Sequence, residues 1–289
     1  MEKISPIGVF DSGYGGLSIL KEIVQVLPGY DYLYLGDNAR TPYGTRSFDV
    51  VYHYTNEAVR RLFALGCPLV ILACNTASAK ALRTIQQTDL PRIDVKKRVL
   101  GVIRPSVEAL ASYSRNRHVG ILATRGTVAS ESYPLEIAKL YGSGEFYITQ
   151  KACPMWVPLV ENNELAVVTN SLLVGNELAG AGAKYFVKKY IDELFQSDPL
   201  IDTVVLGCTH YPLLRELIHR YVPQGVSVIE QGHIVADSLK DYLNRHTDME
   251  AALSKQQTIR YLTTEQPDLF ASMAGMFMGK KVEAEHTSI

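Results

Sequence analysis

At 289 residues, with 47% hydrophobic and 20% charged residues and a formal net charge of -1, the chain is long enough to bury one sizeable core and reads best as two domains. The balanced charge gives no electrostatic footprint for nucleic acid, and the apolar content excludes a disordered chain. No stretch reaches membrane-spanning length without charges, and the opening Met1-Glu2-Lys3-Ile4-Ser5-Pro6 turns polar before a signal-peptide core could form, so a cytoplasmic location is expected.

Short, uniformly apolar runs recur along the chain. Ile7-Gly8-Val9-Phe10 and Tyr32-Leu33-Tyr34-Leu35 come first, followed by Leu69-Val70-Ile71-Leu72, Val119-Gly120-Ile121-Leu122 and Thr203-Val204-Val205-Leu206. Strands of this kind belong to buried parallel sheets. Between the first two, Leu17, Leu20, Ile23, Val24 and Leu27 keep a helical period up to Pro28, and a second helix holding Ala58, Val59, Leu62, Phe63 and Leu65 is closed by Gly66. This βαβα order predicts an α/β protein with mainly parallel sheets.

A faint internal duplication accompanies the alternation. Val9-Phe10-Asp11-Ser12-Gly13 precedes Ala73-Cys74-Asn75-Thr76 in one half, and Ile121-Leu122-Ala123-Thr124 precedes Gly207-Cys208-Thr209-His210 in the other. The reading is two similar α/β domains, residues 1–99 and 100–231, with C-terminal helices from about 232 to 289 completing the first and a cleft between them. The stretch from Gly175 to Ser197 reads as an added helix. Lys96-Lys97-Arg98 and Lys188-Lys189 read as solvated surface, and the patternless tail from Met273 to Ile289 reads as a frayed appendage.

Four scattered cysteines are too few for a disulfide scaffold of this length and are expected as free thiols. Cys67 and Cys153 lie among apolar or proline neighbours and fit small buried hydrophobes. Cys74 and Cys208 each end an apolar strand and are followed by hydrogen-bonding residues, Asn75-Thr76 and Thr209-His210, where open parallel sheets place their ligands. A helix N-terminus there favours thiolate, and thiols titrate close enough to neutrality to exchange acid and base roles. No Cys-x-x-Cys pair supports a metal, no lysine motif marks a pyridoxal Schiff base, and the Asp11–Gly16 loop lacks the end of a phosphate loop, so no cofactor is called for. A nucleophilic Cys208–His210 pair is the chemical alternative, although residues two apart diverge on a regular element and pairing would need a loop.

Five motifs in order settle the comparison. They are Gly8-Val9-Phe10-Asp11-Ser12-Gly13-Tyr14-Gly15-Gly16-Leu17, Gly36-Asp37-Asn38-Ala39-Arg40-Thr41-Pro42-Tyr43-Gly44, Ala73-Cys74-Asn75-Thr76-Ala77-Ser78, Ala123-Thr124-Arg125-Gly126-Thr127-Val128, and Gly207-Cys208-Thr209-His210-Tyr211-Pro212-Leu213-Leu214. Together they resemble glutamate racemases of the aspartate/glutamate racemase superfamily. The resemblance implies a cofactor-independent enzyme in which Cys74 serves the α-proton of D-glutamate and Cys208 that of L-glutamate. It further implies Asp11, His210 and Glu161 as assisting polar groups. Asp11, Ser12, Tyr43, Gly44, Asn75, Thr76, Thr209 and His210 would bind the amino acid, with Thr124 and Thr127 as additions. A homodimer supplying D-glutamate for peptidoglycan is the implied setting. Aspartate racemases, one-thiol decarboxylases and an inactive amino-acid-binding protein are the competing readings, and the paired cysteines argue against the last two. The chain departs from the family at Arg104-Pro105-Ser106, where an acidic residue and a glycine are expected around the proline.

Overall fold

A computed structural model describes residues 5–162 and 180–289. The first sheet begins with β1 (Ile7–Asp11), β2 (Tyr32–Gly36), β3 (Leu69–Leu72) and β4 (Arg98–Gly101). Residues of β1, β2 and β3 are all buried, as uniformly apolar strands require. Helix α1 (Leu17–Val26) turns Leu17, Leu20 and Ile23 inward at helical spacing, each burial being worth roughly 2 kcal/mol. Helix α2 (Phe48–Ala64) is capped by the Ser47 side chain and ends before Gly66, whose φ of 98° suits a residue without Cβ. The short α3 (Asn75–Lys80) follows β3 directly.

The second sheet is built from β5 (His118–Ala123), β6 (Tyr147–Ala152), β7 (Thr203–Gly207) and β8 (Ser227–Ile229). Around it lie α4 (Ile103–Tyr113), α5 (Arg125–Ala129), α6 (Ser132–Tyr141), α7 (Trp156–Glu161), α8 (Ala181–Ser197) and α9 (Arg215–Tyr221). The chain then returns through α10 (Gln231–Arg245) to β9 (Ile259–Thr263), α11 (Pro267–Met278) and β10 (Ala284–His286).

All pairings are parallel, and the strand orders are β10-β9-β2-β1-β3-β4 and β6-β5-β7-β8. The run β2-β1-β3-β4 therefore has the order of β6-β5-β7-β8. The duplication seen in the sequence is thus a repeat of topology, with β1 and β5 as counterparts and β3 and β7 as counterparts. In each half the strand ending in Cys lies beside the strand that opens the half.

One expectation holds over the described residues and one changes. The stretch read as an added helix is α8 over Ala181–Ser197, while positions 175–179 lie outside the described residues. The C-terminal tail is built into the fold rather than frayed: Met278 and Val282 are buried, β10 pairs with β9, and the Thr287 N–H donates to the Thr263 carbonyl at 2.9 Å. Arg61 also donates to the Thr287 hydroxyl at 3.2 Å. Deleting residues 280–289 should therefore lower stability by about 3 kcal/mol and Tm by about 6 °C. A circular-dichroism melt that leaves Tm unchanged would return the tail to the status of an appendage.

Candidate active site

The carboxyl ends of β1, β3, β5 and β7 converge on one cavity of about 140 Å³. Its wall includes Ser12 after β1, Cys74, Asn75 and Thr76 after β3, Thr124 and Arg125 after β5, and Cys208, Thr209 and His210 after β7. The segment Thr41–Thr45 covers one side, and Cys153, Pro154, Val157, Pro158 and Glu161 another. The two sheets therefore contribute one thiol each from counterpart strands. Both thiols are only 6% exposed, so chemistry between them is shielded from bulk water.

Glycine makes the convergence possible. A Cβ on Gly15 would lie 2.3 Å from the Thr209 hydroxyl oxygen and 2.4 Å from His210 Nδ1, a contact that backbone alone avoids. Across the cavity, a Cβ on Gly126 would meet the Gly44 carbonyl oxygen at 2.9 Å, so the covering segment and α5 also meet through glycine.

Cys74 is the N-cap residue of α3, and its sulfur accepts from the Ala77 N–H at 3.5 Å. Ser12 Oγ lies 3.4 Å from the same sulfur. Burial pushes the Cys74 thiol up to about 12, and the charge of Asp11 adds to the rise, against the lowering by Ser12 and Ala77. The expectation of a sulfur near neutrality fails at Cys74 for that reason, and it rests as a thiol.

Cys208 has a different setting. It is followed not by an α-helix start but by a short 3-10 turn, Tyr211–Leu214, so helix capping does not repeat here. His210 Nδ1 lies 3.9 Å from its sulfur, and His210 Nε2 lies 3.0 Å from Glu161 Oε1. The loop supplies the pairing that a regular element would forbid. Burial alone would hold His210 neutral, but hydrogen bonds to Cys208 and Glu161 outweigh it and raise the imidazole to about 10. The two ring nitrogens thus face the Cys208 sulfur and the Glu161 carboxylate, and the raised value favours the protonated ring.

Asp11 is buried and does not line the cavity; it stands behind it, accepting from the Gly13 N–H at 2.7 Å and the Thr209 hydroxyl at 3.3 Å. Burial raises its carboxyl, partly offset by His210, Gly13 and Thr209. Glu161 is the last residue of α7. Tyr43 and Gly44 line the cavity, and the Tyr43 hydroxyl donates to Asp37, which also pairs with Arg40 at 2.6 Å. Thr76, Thr124 and Thr127 form a hydroxyl triangle with edges of 3.0, 3.4 and 3.1 Å. Among the described residues, no group of three or more His, Cys, Asp or Glu could hold a metal ion, and no helix is long and apolar enough to cross a membrane.

Residues 7–239 match the family model for Asp/Glu/hydantoin racemases. The chain belongs to this racemase family. It is similar to the glutamate racemase of Paracoccus denitrificans, with 38% identity over 96% of this chain and 98% of the relative. Among solved structures it resembles a glutamate racemase isoform from Bacillus anthracis, with a TM-score of 0.84 and 29% identity over 100% and 99% of the two chains. A glutamate racemase from Francisella tularensis in complex with D-glutamate gives a TM-score of 0.81 and 29% identity over 99% and 98%.

Within this racemase framework the structure gathers the residues named from the sequence on the cavity wall, apart from Asp11 and Thr127, which are buried behind it. Sequence reasoning missed three features. Cys153, read as packing, lines the cavity; Arg125 lies in a quoted motif but carried no assigned part; and Tyr133 and Gln231, both buried, bond to Asn75 from far along the chain. No local pattern signalled the first, because the strand before Cys153, Tyr147–Ala152, is partly exposed and lacks an apolar run.

The His210 geometry predicts a pH effect. Its folded value near 10 lies above the free value of 6.5, so the bound proton adds stability that is complete below about pH 6.5 and lost as pH rises through about 10. The unfolding midpoint of the wild type should fall more between about pH 7 and 10 than that of Glu161→Gln, in which one charged partner is neutral. Parallel curves would contradict the assignment.

Proposed function

We propose that the protein is a cofactor-independent glutamate racemase that inverts the α-carbon with two thiols. The observation that carries this reading is the arrival of Cys74 and Cys208 at one enclosed cavity from counterpart strands of two sheets. Inversion without a cofactor needs a base on one face of the α-carbon and an acid on the other, and two lobes of matching topology supply one group each.

In the L-to-D direction the Cys208 sulfur takes the α-proton and the Cys74 thiol returns a proton to the opposite face. The raised affinity of Cys74 for its proton supports that donor role. His210, charged and within reach of the Cys208 sulfur, offers positive charge or a proton there, and Glu161 holds the imidazolium in place. In the reverse direction Cys74 takes the proton, and the Ser12 hydroxyl and Ala77 N–H are positioned to hold the sulfur's charge. Asp11 orients Thr209. Asn75 would hold the α-carboxylate, and Thr76 and Thr209 that group and the negative charge developing beside it, with fixed donors worth more in a largely buried site than in water. Ser12, Tyr43 and Gly44 would complete the binding of the amino acid.

Glutamate is the favoured substrate because the full-length similarities are to glutamate racemases and the Francisella protein is described with D-glutamate. Peptidoglycan assembly would consume the product, with the enzyme acting in the cytoplasm as a homodimer.

Circular dichroism on separate L- and D-glutamate solutions, without added cofactor and with aspartate as control, tests the reading. The wild type should bring both glutamate solutions to zero rotation and leave aspartate essentially unchanged. Cys74→Ala and Cys208→Ala should each lower the rate by at least about 10³-fold while keeping the wild-type far-UV spectrum. Full racemisation by either variant would refute the two-thiol mechanism, and preference for aspartate would refute the substrate.

A further inference from the structure

Four helix N-termini meet beneath the cavity and build a closed hydrogen-bond ring. Asn75 is the first residue of α3, Gln231 the first of α10, Tyr133 the second of α6, and Ser106 lies in the first turn of α4. Gln231 Nε2 donates to the Tyr133 hydroxyl at 2.9 Å, the Tyr133 hydroxyl donates to Asn75 Oδ1 at 2.8 Å, and Asn75 Nδ2 donates to Gln231 Oε1 at 2.5 Å. Gln231 Nε2 also donates to Ser106 Oγ at 2.7 Å and approaches the Val102 carbonyl at 3.3 Å. Ser106 Oγ in turn donates to the Val102 carbonyl at 2.8 Å. All four side chains are at most 2% exposed.

The direction of the ring has a consequence. Each member is donor to one neighbour and acceptor from the other, so reversing the Asn75 amide would break two bonds at once. With that amide fixed, one Nδ2–H of Asn75 stays outside the ring on a residue that lines the substrate cavity. The ring also spans both places where the chain passes between sheets, since Ser106 follows β4 and Gln231 follows β8. Ser106 is where the resemblance expects glycine, and here its hydroxyl receives the second Gln231 hydrogen.

We infer that Gln231, Tyr133 and Ser106 are positioning residues that lock the Asn75 amide so that its free N–H faces the substrate carboxylate, tying substrate binding to the relative seating of the two lobes. This rests on the reading of Asn75 as a substrate-binding residue, and the variants separate the two ideas. A ring member acts through Asn75 alone, so its loss weakens binding in the ground and transition states alike and raises KM more than it lowers kcat.

The test compares steady-state KM and kcat for L- and D-glutamate in Asn75→Ala, Tyr133→Phe, Gln231→Met, Ser106→Gly and the double variant Asn75→Ala/Tyr133→Phe. Tyr133→Phe and Gln231→Met should raise KM about fivefold for both enantiomers with kcat within about twofold, and Ser106→Gly should do so more weakly. Adding Tyr133→Phe to Asn75→Ala should change KM no further, a non-additivity that a general loss of packing would not produce. Tyr133→Phe removes one oxygen and keeps the ring volume, so it decides the matter if Gln231→Met does not fold. If Asn75→Ala leaves KM unchanged, the substrate-binding reading of Asn75 falls. If Asn75→Ala raises KM while Tyr133→Phe and Ser106→Gly leave it at the wild-type value, or if the two effects multiply in the double variant, the positioning inference falls alone.

Discussion

The proposed chemistry depends on one constraint: two sulfur atoms carried by different sheets must reach a single small cavity in which each is almost fully buried. Parallel strands satisfy it because their carboxyl ends all lie on one side of a sheet, where the loops are free to carry polar side chains. Repeating the order β2-β1-β3-β4 as β6-β5-β7-β8 gives each lobe the same strand end to offer. Close approach of the lobes then requires backbone without side chains, which is the part of Gly15 against Thr209 and His210 and of Gly126 against Gly44.

The two thiols are equivalent in topology and unequal in chemistry. Cys74 caps a helix, touches a hydroxyl and an amide N–H, and has the Asp11 carboxyl near it, so burial and like charge favour its protonated form. Cys208 faces a histidine held charged by Glu161. Under the proposed mechanism a symmetric reaction would be run by an asymmetric pair. That asymmetry supplies one sulfur already carrying a proton and another beside a cation, which is the starting condition that inversion from the L-isomer needs.

Much of this was legible in the chain. The five buried apolar runs stand out because strands covered on both faces cannot alternate with polar residues, and Cys74 and Cys208 stand out because polar neighbours follow them directly. Other features left weaker traces. Tyr147–Ala152 forms an edge strand with partly exposed residues, and Ala284–His286 is a three-residue edge strand without an apolar pattern, so neither reads as sheet. The tail looked frayed because its anchoring comes from β9 and Arg61, far away in sequence. The ring joining Asn75 to Tyr133 and Gln231 is invisible for the same reason: its partners lie 58 and 156 positions away. The inequality of the thiols was also hidden, since it arises from burial and from Glu161, a helix C-terminus that only the fold brings to His210.

The most direct measurement is the fate of the α-hydrogen. With L-glutamate in deuterium oxide, followed by mass spectrometry over the first few per cent of conversion, two thiols on opposite faces should place one deuterium in the D-glutamate formed and leave the remaining L-glutamate unlabelled. Product that keeps the original hydrogen, or deuterium entering the L-isomer as fast as the D-isomer appears, would contradict the account.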